Sequence, residues 1–143
     1  MMAADTSRSA KGQHRKWSDA VRFAGWYATI VGILMFAMWI VFFTVLGVPE
    51  LETEPIRVAF HFVAEFVTAT ALLASGYGLL TNKPWGASAY LLAMGMLIYI
   101  AINGPGYFAQ QGDWAFVGMF AVLLILACVT VVRLFRAQAL RSP

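Results

Sequence analysis

Residues 23–47 read FAGWYATIVGILMFAMWIVFFTVLG, twenty-five positions without a single charge. That exceeds the roughly 20 apolar residues an α-helix needs to cross a hydrocarbon core of about 30 Å. A helix is required there, because lipid offers no partner to exposed backbone N–H and C=O groups. Val48 and Pro49 end the stretch. The segment that follows, VPELETEPIR at 48–57, sets Glu50, Glu52 and Glu54 between two prolines and reads as a solvated loop or a short interfacial turn.

Outward from this first span, three more apolar runs follow, at about 56–80, 85–102 and 114–132. The second and third are joined by TNKPWG, whose Asn82, Pro84 and Gly86 are turn residues. So short a link makes those helices antiparallel neighbours. NGPGYFAQQGDW, residues 103–114, joins the third to the fourth and reads as a loop held near the water boundary. The expected fold is all-α, a polytopic membrane protein with a four-transmembrane-helix bundle over 23–132. Basic tails flank it at 1–22 and 133–143. The first tail is rich in Ser, Ala, Lys and Arg without apolar periodicity and is expected to be disordered or loosely surface-bound. The apolar run at 23–47 is longer than a signal-peptide core and more spans follow it, so it reads as a retained anchor.

Composition agrees with a bilayer as solvent. Hydrophobic residues make up 61% and charged residues 12%, against roughly half and a quarter in an ordinary soluble domain. The formal charge of +3 does not point to nucleic acid, since the basic residues gather near the chain ends rather than along a face with interleaved aromatics. They orient the chain instead. With the N-terminus inside, Arg8, Lys11, Arg15, Lys16, Arg22, Lys83, Arg133, Arg136 and Arg141 are cytoplasmic and Arg57 alone is outside. The expected location is the cell membrane, multi-pass, with both termini cytoplasmic. The lone cysteine, Cys128, lies in an apolar run and gives neither an intrachain disulfide nor a CxxC or zinc pattern.

The second span carries the informative residues. His61 and Glu65, in HFVAEF, are four apart and share one helical face with Thr68 and Leu72. Glu65 is the one carboxylate in any span, on the order of 10 to 13 Å in from the outer boundary at the helical rise. An ionised group at that depth costs several kcal/mol unless it is paired, solvated or protonated, so an intramembrane acid marks a functional site by default. The competing reading is a structural hydrogen bond that holds the bundle together. Trp39, Tyr99 and Asn103 stand at comparable depth and, with His61, Glu65 and Thr68, form the expected ligand-binding set. Thr44, Tyr107, Gln110, Gln111 and Asp113 add polar groups nearby, with an aromatic belt as the alternative for Tyr107 and Trp114.

Three functions are compatible with that set. The first is a small-ligand site in the outer half of the bilayer, or an accessory subunit of a membrane complex. The second is a dimeric proton-coupled transporter using Glu65. The third is a membrane redox protein with haem or copper near His61, for which Met38 is a candidate soft ligand. No second intramembrane histidine exists to complete a bis-histidine haem site within one chain, and methionines at 35, 94, 96 and 119 also serve as apolar filling. No cofactor is favoured. No nucleophile pattern or phosphate-cradling loop occurs, so a binding role is favoured over an enzymatic one. Expected partners are the lipid bilayer and either further copies of this chain or a larger membrane complex. Gly25, Gly32, Gly76, Gly78 and Gly95 read as close-packing positions, although no GxxxG occurs among them.

The stretch AEFVTATALLASGYGLLTNKPWGASAYLLAMGMLIYIAI, residues 64–102, resembles the central hairpin of DoxX-like four-helix membrane proteins. It has a glutamate early in one helix, a glycine-containing end, a short turn and a second helix rich in small residues. It covers about a quarter of the chain. The resemblance implies a four-helix bundle, a role beside membrane redox or thiol-stress proteins, and Glu65 as the position that carries over.

Overall fold

The computed structural model describes residues 2–47 and 50–139. Helix α1 runs Met2–Val41 and continues as a π-helical turn over Phe42–Leu46. One helical turn, α2 at Glu50–Thr53, leads into α3 at Pro55–Leu80, with α4 at Gly86–Gln111 and α5 at Trp114–Ala139. Four of these helices are long and apolar enough to cross a membrane, over Trp17–Val45, Pro55–Leu80, Gly86–Gln111 and Trp114–Ala137. Consecutive long helices pack on one another and α5 returns against α1, so the four form a closed ring.

Each helix turns a stripe of residues three and four apart toward the axis. Ala24, Ala28, Val31 and Met35 do so on α1, and Thr68, Leu72, Ser75 and Leu79 on α3. Tyr90, Ala93, Met94, Leu97 and Ala101 follow on α4, and Phe120, Ala127, Thr130 and Leu134 on α5. The opposite faces leave Ile30, Ile33, Leu34, Phe60, Leu92 and Ile125 more than half exposed. Such a continuous apolar exterior is rare on proteins surrounded by water.

Small residues set the spacing of α1 and α3. A Cβ on Gly25 would stand 2.8 Å from Leu80 Cγ, and one on Gly76 would collide with the Thr29 hydroxyl and come within 3.0 Å of the Gly25 carbonyl oxygen. A Cβ on Gly86 would lie 2.6 Å from the Gly78 carbonyl carbon, so the α3–α4 turn needs both glycines to close. Asn82 takes the left-handed φ of 54° in that turn, a conformation Asn tolerates because its short side chain can bond locally. Gly95 departs from the packing expectation: a Cβ there meets nothing within 4 Å, and the residue faces outward. Polar bridges add specificity, as where the Tyr27 hydroxyl on α1 donates to the Leu123 carbonyl on α5 (2.9 Å).

Two segments differ from the sequence expectation. Residues 2–22, expected as a disordered or loosely bound tail, are helical and continuous with the first span. They contain no proline and many strong helix formers, Ala, Lys, Arg and Gln, so nothing stops the helix propagating outward. The expected loop at 103–114 is helical up to Gln111, with Pro105 inside it. Pro105 lacks the N–H that would bond the Ala101 carbonyl. The helix continues because packing outweighs turn composition: Gly104 lies against Phe120, where a Cβ would come 3.0 Å from the ring. The turn is delayed to Gly112, whose φ of 80° is the left-handed C-cap that glycine supplies without strain. The acidic loop contains the short α2, while Val48, Pro49 and the far end of the second tail, with Arg141, lie outside the described residues.

Candidate functional site

Glu65 lies ten residues beyond Pro55, the first residue of α3, or about 15 Å along the helix. It is 6% exposed. A carboxylate so deep needs donors, and it has two from different helices. Trp39 on α1 donates its indole Nε1–H to Oε2 at 2.5 Å. His61, one turn earlier on α3, sets Nε2 3.1 Å from Oε1. Neutral imidazole can carry its single proton on Nε2, so this contact does not require a charged histidine. The His61 side chain is 54% exposed, so the pair runs from a buried acid to an accessible ring.

The indole is held by its neighbours. Phe62 meets Trp39 edge-on at 5.0 Å between centroids, and Phe43 lies at 5.5 Å. Phe62 continues to Phe66 and Phe66 to Phe36, so α1 and α3 are sealed by rings on the side of Trp39 away from the axis. Edge-to-face pairs of this kind are favoured by the ring quadrupole. They fix the plane from which the indole N–H reaches Glu65.

Next to the pair is a cavity of about 570 Å³, at the end of the bundle where α1 leads to α3 and α4 to α5. Trp39, Met38 and Phe42 line it from the first helix and its π turn, and Arg57, His61 and Glu65 from α3. From α4 come Asn103 and, beyond Pro105, Tyr107, Phe108 and Gln111, followed by Asp113 just before α5 and by Phe116 and Phe120 on it. Phe108 stacks on Phe116 at 4.5 Å and 15° and packs on Phe120 at 5.8 Å. Arg57 pairs with Glu54 across one turn, at 2.5 Å and largely exposed.

Of the residues singled out from sequence, the structure brings together Trp39, His61, Glu65 and Asn103, with Tyr107, Gln111 and Asp113 beside them. Two are elsewhere. Thr68 is buried and donates to the Ala64 carbonyl of its own helix, and Tyr99 is 67% exposed. Both border a separate, mainly apolar groove between α3 and α4. Thr68 follows Glu65 by three residues and borders α4, whereas Tyr99 shares a face with Asn103 but lies one turn farther from the cavity end of the bundle. Thr44 bonds its own helix at the Ile40 carbonyl and Gln110 is exposed, both away from the cavity. The sequence reading missed Phe42, Phe108, Phe116, Phe120 and Arg57. Phe42 three positions after Trp39, and Phe116 and Phe120 four apart behind Asp113, were the available signals.

For a metal, the arrangement offers little. Among the described residues no group of three or more His, Cys, Asp or Glu side chains is placed to hold one. Met38 and His61 do share the cavity, but Nε2 of His61 is engaged with Glu65. Met35 and Met94 are core filling.

No curated protein and no solved structure matches the chain, and nothing in these comparisons links it to DoxX-like proteins. The family described as a domain of unknown function, DUF8058, matches residues 18–142, a range that takes in α3, α4, α5 and every residue lining the cavity, and the chain belongs to that family.

Proposed function

We propose that this chain is a multi-pass protein of the cell membrane that binds a small ligand in the cavity between His61 and Glu65 on α3 and the facing ends of α4 and α5. One observation carries the reading. A carboxylate 6% exposed is held by donors from two helices at the margin of a cavity of about 570 Å³, within the usual size range of small-molecule sites. Structural glue alone needs the hydrogen bonds and not the adjoining space. The membrane setting is supported by four long apolar helices and their apolar exterior. Both termini are assigned to the cytoplasm, because Arg22, Lys83, Arg133 and Arg136 lie toward one end of the bundle and the cavity opens at the other. The ligand therefore enters from the outer leaflet or the outer aqueous phase.

The test is to purify the full chain in lipid nanodiscs from its native membrane and extract small molecules, in parallel with Asn103→Trp. Asn103 sits on the exposed rim of α4, so the larger ring fills the cavity without entering the core. A molecule that co-purifies stoichiometrically with the natural chain and is absent from the filled variant is the expected result. Equal small-molecule content in both samples would exclude the cavity as its site. If both samples instead retain the same companion protein, the chain is an accessory subunit and the ligand reading fails.

A further inference from the structure

We infer that the ligand is a cation, an aromatic or alkyl ammonium compound held by the Glu65 carboxylate within a wall of aromatic rings. The inference rests on the cavity being a ligand site and specifies the chemistry it selects.

The charges around the cavity decide the sign. Its lining includes four acidic or basic side chains, Arg57, His61, Glu65 and Asp113. The guanidinium of Arg57 is paired with Glu54 and 66% exposed, so its charge is compensated at the rim. His61 can hold Glu65 through Nε2–H as a neutral ring. Glu65 below and Asp113 at the mouth therefore set two carboxylates in the lining against one half-exposed imidazole. Trp39 and His61 each present one N–H to Glu65, so both carboxylate oxygens are held in place. Two carboxylate oxygens offer about four acceptor positions, so two bonds leave capacity for an ammonium group.

The rings favour the same sign. Trp39, Phe42, Tyr107, Phe108, Phe116 and Phe120 all border the space. Aromatic faces carry negative quadrupole potential and attract cations, more strongly when water is excluded. An anion would meet two carboxylates and these ring faces. A neutral apolar molecule would leave Glu65 desolvated with nothing gained. Only a cation is complementary both to the acid and to the walls.

Equilibrium dialysis of the full chain in nanodiscs, corrected with empty nanodiscs, tests this with three probes of one shape. Benzyltrimethylammonium is the cation, neopentylbenzene its uncharged carbon isostere, and phenylmethanesulfonate an anion of similar size. The expected result is one cation per chain, bound at least tenfold more tightly than either of the others, and weakened tenfold or more by Glu65→Gln. Phe116→Leu keeps an apolar wall without a ring face and lowers cation affinity severalfold more than it lowers that of the neutral probe. If the neutral or anionic probe binds as well as the cation, the cation assignment is overturned and the cavity survives as a ligand site. If none binds above the empty nanodisc, both fall. Should Glu65→Gln fail to fold, the ranking of the three probes on the natural chain and the Phe116→Leu comparison still decide.

Discussion

Trp39 on α1 donates its indole N–H to the carboxylate of Glu65 on α3, which joins two helices through the one acid that is buried among the described residues. Trp39→Phe keeps the ring packing against Phe62 and removes only the donor. A buried charged acceptor deprived of a partner costs about 1–3 kcal/mol. Glu65→Gln costs a similar amount, because the amide must point its NH₂ at either the indole N–H or His61. Reversible denaturation in mixed micelles should show both losses, and a coupling of roughly 0.5–3 kcal/mol between them, since they share one hydrogen bond. Additive losses would mean that the bond contributes nothing to holding α1 on α3.

His61 holds the other carboxylate oxygen but stands half in the open. Solvent screens such a contact, so its contribution is about 0–1 kcal/mol. His61→Gln, which retains an N–H donor, should be stable within that range and keep cation binding. His61→Leu should fold nearly as well yet bind more weakly, because one of the two contacts that hold the Glu65 carboxylate in place is gone. Loss of stability in His61→Leu as large as in Trp39→Phe would show that His61 is a structural residue and not one facing a ligand.

The sequence made the helices legible because charge-free runs of this length have one solution in lipid, and the i, i+4 spacing alone put His61 beside Glu65. It left α4 unread past residue 102. Asn103-Gly104-Pro105-Gly106 has the local composition of a turn, and only the seat of Gly104 against Phe120 on a helix still to come makes the chain continue. That extension turns Tyr107, Phe108 and Gln111 from expected loop residues into a helical wall of the cavity, and of the three only Phe108 had not been singled out from the sequence. Thr68 was misplaced for a different reason. Helical spacing tells which residues share a face but not how a neighbouring helix divides that face, and α4 covers the side on which Thr68 lies.

Glycines that look alike in the sequence separate in the structure. Gly76 faces Gly25 and Thr29 across the α1–α3 seam, whereas Gly95 faces open space. Gly76→Ala forces the helices apart and should cost roughly 1–3 kcal/mol, as overpacking of a tight contact does. Gly95→Ala meets no atom within 4 Å and should stabilise by about 0.5–1 kcal/mol through the lower entropy of alanine in a helix. Denaturation midpoints of the two variants test the contrast. A destabilised Gly95→Ala would reveal a second surface seated on the α3–α4 groove that Gly95 borders.

Orientation can be read chemically from the loops. Thr53 ends the short α2 on the cavity side, and Thr81 is exposed in the turn beside Lys83 at the opposite end. Cys128 is exposed on α5 and must first be replaced by serine so that it does not react. In that background Thr53→Cys should react with a membrane-impermeant maleimide on intact cells, while Thr81→Cys should react only after lysis. With both termini proposed as cytoplasmic, sequence order assigns nine of the ten basic residues to that side, which is the bias that governs insertion of short loops. The reverse labelling pattern would place the mouth of the Glu65 cavity in the cytoplasm, and its ligand would then have to be sought among cytoplasmic cations.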